Sequence, residues 1–93
     1  MAKKKYDSVW DAIEDTPEVA ENLKLRSALM MALKAHLVRS ELSQAQIAKL
    51  FGVTQPRVSD LLRGKINLFG LDALVNMASA AGLRVELKVR KAA

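Results

Sequence analysis

Two short stretches of helix-spaced apolar residues, joined by Gly52-Val53, constrain this chain more than any other feature. Ser43 is followed three residues later by Gln46, a pair able to close a capping box at a helix start. Ile47, Ala48, Leu50 and Phe51 give that helix a buried side. Gly52 then supplies the left-handed conformation that a sharp stop requires. Thr54 can cap a second helix through Arg63, with Gly64 ending it. Small Ala48 lets the two helices approach, and Val53 is placed to plug the angle between them. Val58, Leu61 and Leu62 anchor the second helix. That spacing leaves Pro56, Ser59, Asp60 and Arg63 outward, Arg57 at the edge and Gln55 at the exposed start.

The flanking segments also read as helices. Thr16-Pro17-Glu18 combines a cap, a proline suited to the first helical position and an acid at the positive end of the dipole. A long helix over 17–39 follows, with Val19, Leu23, Met30, Leu33 and Leu37 toward the core. Leu25, Leu29 and Ala32 widen its apolar stripe, so more than one side can be covered. Before it, Val9, Trp10 and Ile13 predict a short helix or turn that packs Trp10 on the domain. After a link containing Asn67 and Gly70, the residues Leu71, Leu74, Val75, Ala78 and Ala81 mark another amphipathic helix, stopped by Gly82. The period then changes. Leu83, Val85, Leu87 and Val89 alternate with Arg84, Glu86, Lys88 and Arg90, as in a β-strand with one apolar face. A lone strand cannot satisfy its own backbone and needs a partner.

With 93 residues the chain has room for one domain and one modest core. It has no cysteine, which excludes disulfides and thiolate metal sites, and His36 is its only histidine. No oriented base, oxyanion site or glycine-rich phosphate loop accompanies His36, so an enzyme is not expected, nor a cofactor or metal. No apolar run approaches the roughly 20 residues that span a bilayer, and no signal-peptide stretch opens the chain. A cytoplasmic protein with no membrane partner is therefore expected. The net charge of +5 is unevenly placed: residues 1–21 carry −3 and residues 22–93 carry +8. A basic body favours a polyanionic partner, through phosphate contacts and counterion release.

The 43–64 segment resembles the Cro-type repressor helix-turn-helix of the XRE family, with Gln44, Ala48, Gly52 and Val53 filling its Gln-x-x-x-Ala-x-x-x-Gly-Val pattern. The resemblance implies a mainly α, five-helix lambda-repressor-like DNA-binding domain over about residues 16–82. Residues 1–15 would form a separate N-terminal segment and 83–93 a dimerising C-terminal strand. Within the family the chain is similar to HigA-like antitoxins, on its Ser8-Val-Trp-Asp-Ala-Ile and Leu83-Arg-Val-Glu-Leu segments.

The family places the second helix of the motif in the major groove of double-stranded DNA. Base contacts are then expected from Gln55, Arg57, Ser59 and Asp60, and phosphate contacts from Gln44, Thr54, Arg63 and Lys65. Pro56 removes a donor where the family tolerates polar residues, and this departs from its base-for-base pattern. Antiparallel pairing of the terminal strand with its own copy, through Val85, Leu87 and Val89, would make a homodimer and imply a palindromic operator. Pairing within the chain, or addition to a partner's sheet, are the alternatives. The antitoxin likeness implies a RelE/HigB-like toxin as a partner, met by the acidic 7–21 segment. A stand-alone phage-type repressor without a toxin, and a protein-interaction module on the same fold, are the competing readings.

Overall fold

The computed structural model describes residues 16–91, and the expected helix around Trp10 lies outside them. Among the described residues the order is α1 (Pro17–Ser40), α2 (Gln44–Phe51), α3 (Gln55–Leu62), a 3-10 turn (Ile66–Leu68) and α4 (Leu71–Ala80).

Helix α1 begins as its sequence dictates. Thr16 is extended, its hydroxyl accepts from the Val19 N–H at 3.2 Å, and Pro17 takes the first turn. The helix stops at Glu41, whose φ of 63° is left-handed and whose N–H donates to the Val38 carbonyl. Helix α2 opens with both halves of the capping box. The Gln46 N–H donates to Ser43 Oγ at 3.1 Å, and the Ser43 N–H donates to Gln46 Oε1 at 2.8 Å. Thr54 caps α3 by accepting from the Arg57 N–H at 3.3 Å.

The ends of α2, α3 and α4 share one closure. Val53 N–H reaches the Ala48 carbonyl at 3.0 Å while Gly52 N–H reaches that of Lys49 at 3.3 Å, the double bond of a Schellman motif. Gly64 with Lys65, and Gly82 with Leu83, repeat the pattern on the Leu61 and Asp60 carbonyls and on the Ser79 and Ala78 carbonyls. Gly52 sits at φ 70°, which a Cβ would make costly on conformational grounds alone, since nothing lies within 4 Å of where that Cβ would be.

Phe69, Leu33, Leu37, Ile47, Leu61, Leu74 and Val58 are the largest fully buried side chains, so every α-helix and the link before α4 feed one core. Fully burying an apolar side chain of this size contributes about 1.5–3 kcal/mol before chain entropy is set against it. Met30, Ala48, Met77 and Ala78 complete the cluster. His36 fastens the far end of α1: its Nε2 lies 3.1 Å from the Ala81 carbonyl, which can only accept, so Nε2 carries the proton there.

Two expectations are corrected, and a third is not shown. The described region holds four α-helices and a single 3-10 turn instead of five helices, because the stretch between Gly64 and Gly70 has room for only one turn. Leu50 and Val75, expected inside, are 45% and 37% exposed, each lying at the margin of its helix's buried face. The terminal strand, expected from pairing between chains, is not shown: within this chain residues 83–91 have neither helix nor ladder, and no other described segment is extended to pair with them. The side chains of Val85, Leu87 and Val89 are exposed. Among the described residues no helix is long and apolar enough to cross a membrane.

Candidate nucleic-acid interface

The α2–turn–α3 unit presents two helix starts on the surface. Gln44 is the first residue of α2 and is exposed, as are Thr54, Gln55 and Pro56 at the start of α3. The N–H groups of a first helical turn have no partners within the helix and carry the positive end of its dipole, which suits them to an anion. Thr54 already uses its hydroxyl on the Arg57 N–H, leaving the oxygen's own proton for another acceptor. Val58 and Leu61 root α3 in the core, so the helix is held firmly along one side while its start stays open.

The other expected residues are placed differently from one another. Ser59 is half-buried. Arg63 is exposed at the end of α3. Asp60 and Lys65 form an ion pair at 3.4 Å, and the Lys65 N–H also donates to the Asp60 carbonyl at 3.1 Å. The carboxylate therefore sits beside one of the cations expected at phosphates. In the closures of α2 and α4 the residues linked across the glycine are apolar, Ala48 with Val53 and Ala78 with Leu83. At the end of α3 the ion pair takes that place.

Arg57 turns inward. Its Nη1 donates to the Leu68 carbonyl at 2.8 Å, and its guanidinium carbon stands 4.0 Å from the Phe69 ring centroid. Arg26 of α1 donates through Nη1 to the Phe69 carbonyl at 3.4 Å, with its Nε buried and without a partner among the described residues. Two arginines from two helices thus hold consecutive carbonyls of the link before α4. Sequence reasoning missed this node, because Phe69 and Arg26 lie outside the motif and neither follows its spacing.

The whole of this arrangement falls within a recognised pattern. A family model for the helix-turn-helix domain matches residues 12–90. The chain belongs to that family. Among solved structures it is similar to one named as an XRE family transcriptional regulator, at 36% identity and a TM-score of 0.72. That match covers 78% of this chain and 82% of the other, so the likeness extends over nearly the whole XRE-type fold. No curated protein matches the chain. As a member of this XRE-type helix-turn-helix family the chain is a DNA-binding transcriptional regulator. Its match runs past α4 to residue 90 and so takes in most of the terminal extension.

Proposed function

We propose that this regulator is an autorepressing antitoxin that binds a palindromic operator as a homodimer, with α3 in the major groove. The observation that carries the DNA reading is the exposed start of α3, with Gln55 beside the Thr54 cap, on a helix whose opposite side is locked by Val58 and Leu61. Gln55 and Ser59 are assigned to base edges, the former suited to bidentate pairing with adenine. Gln44, Thr54, Arg63 and Lys65 are assigned to phosphates. Arg57 and Asp60 could reach a base only by leaving Leu68 and Lys65, which ranks them below Gln55.

The homodimer rests on the exposed alternating face of Val85, Leu87 and Val89 and on a backbone that has no ladder within the described chain. The toxin partner rests on the sequence: an acidic 7–21 segment precedes a basic body, complementary to a RelE/HigB-like cation-rich ribonuclease. Footprinting on the protein's own promoter tests the operator. Protection of two half-sites about one helical turn apart is the expected result. Co-purification with the product of an adjacent toxin-sized reading frame tests the antitoxin role. Specific operator binding in a genome without such a frame would leave a stand-alone repressor instead.

A further inference from the structure

A groove of about 460 Å³ lies between α1, α4 and the terminal extension, lined by Leu25, Ala28, Leu29, Leu71, Val75, Val85, Glu86 and Leu87. Resting on the proposed terminal-strand dimer, we infer that this groove receives Val89 of a second copy, and that the two-fold axis of the pair passes through Leu87.

The chain itself selects this occupant. Residues 84–91 carry backbone donors and acceptors without a ladder, and only another strand satisfies these at regular spacing. Val85, Glu86 and Leu87 all line the groove, so this stretch of the extension runs beside Leu25, Leu29 and Val75. In an antiparallel pair, directly opposite side chains share a face with Cβ atoms about 4.5–5.5 Å apart.

Charge then fixes the register. An axis at Leu87 sets Val85 against Val89, Leu87 against itself, and Glu86 against Lys88 twice. Its unfavourable pair, Arg84 with Arg90, also occurs twice, once at each end of the ribbon, where long side chains can splay apart. An axis at Glu86 would set Val85 against Leu87 but oppose Glu86 to itself and Arg84 to Lys88, with no attractive charge pair. An axis at Lys88 opposes Glu86 to Arg90 but leaves Val85 without an apolar partner. An axis at Val85 is closed to the ladder, because Leu83 is already packed on the core and its N–H is held by the Ala78 carbonyl. Only the axis at Leu87 pairs the three apolar residues among themselves and gives an attractive charge pair as well, and it puts the partner's Val89 opposite Val85, beside the groove.

The chain has no native cysteine, so a single introduced thiol reports on this register directly. In the full chain, Leu87→Cys is expected to form a disulfide dimer on mild oxidation. Val85→Cys and Val89→Cys alone should not cross-link, since each would lie about 13 Å from its own copy, well beyond disulfide reach. An equimolar mixture of those two should cross-link. Leu25→Glu, at a residue 51% exposed, should weaken the dimer at least ten-fold in sedimentation while leaving the helical circular dichroism unchanged. Cross-linking of Val89→Cys alone, or an unchanged dimer in Leu25→Glu, overturns the register and the groove while leaving a dimer in place. A full chain that sediments as a monomer overturns the dimer reading itself. DNA binding is measured separately and does not enter either result.

Discussion

The Arg57 guanidinium carbon lies 4.0 Å from the centroid of the Phe69 ring while Nη1 of the same side chain donates to the Leu68 carbonyl at 2.8 Å. The first turn of α3 is thereby fastened to the link that leads into α4. Arg57→Ala should lower stability by about 1–2 kcal/mol in urea titration, together with any loss in DNA affinity. Arg57→Lys should recover only part of this, because an ammonium cannot stack flat on the ring and reach the carbonyl in the same way. Unchanged stability with a loss confined to one base position would show that Arg57 leaves the ring to read DNA.

The roles proposed for Gln55, at a base, and Arg63, at a phosphate, can be told apart. Both are exposed, so neither Gln55→Ala nor Arg63→Ala should alter thermal stability by more than about 0.5 kcal/mol. Gln55→Ala is expected to cost about 1–3 kcal/mol on the cognate site and to relax preference at one position. Arg63→Ala should weaken binding to all sequences alike and reduce the salt slope by about one unit. Gel-shift titration on specific and random duplexes, at several salt concentrations, distinguishes the two.

Asp60→Asn removes the negative partner of Lys65. The pair is partly exposed, so the cost in folding should stay under about 1 kcal/mol. With Lys65 no longer neutralised, binding should tighten and its salt dependence should steepen. Weaker binding, confined to sites with one particular base, would instead assign Asp60 to a cytosine.

Two left-handed positions respond in opposite directions. Gly52→Ala should cost about 1 kcal/mol through backbone conformation alone, and Gly52→Asn less. Glu41 adopts φ 63° without being glycine, so Glu41→Gly should be neutral or stabilise by up to about 1 kcal/mol. Thermal melts of the three variants check the signs.

The helix ends were legible in the sequence because each is written locally. Ser43 with Gln46, Thr16 with Pro17, and Thr54 satisfy backbone groups three residues away or closer, and Gly52, Gly64 and Gly82 close each stop within six residues. The end of α1 was read to within one residue, but the left-handed Glu41 that makes it was not, since no residue preference marks a glutamate for that geometry. Nor was the link before α4. Phe69 is 1% exposed and central to the core, but its partners Arg26 and Arg57 lie 43 and 12 residues away, where no local pattern reports them. The same holds for the candidate interface: the exposed start of α3 follows from the motif, whereas the inward turn of Arg57 depends on a ring brought in from outside it.

The glycine closures of α2, α3 and α4 have a thermodynamic consequence. Each helix is ended by hydrogen bonds of its own chain, so α2 and α3 are closed without help from a partner. If α3 reads DNA as proposed, association should be the docking of a preformed body, with little of these helices to be ordered at the moment of contact. Calorimetry across temperature should give a heat-capacity change accounted for by the docked surface alone. An excess equivalent to burying 1,000 Å² or more, on the order of a segment folding as it binds, would mean that part of the reading surface is assembled by the DNA.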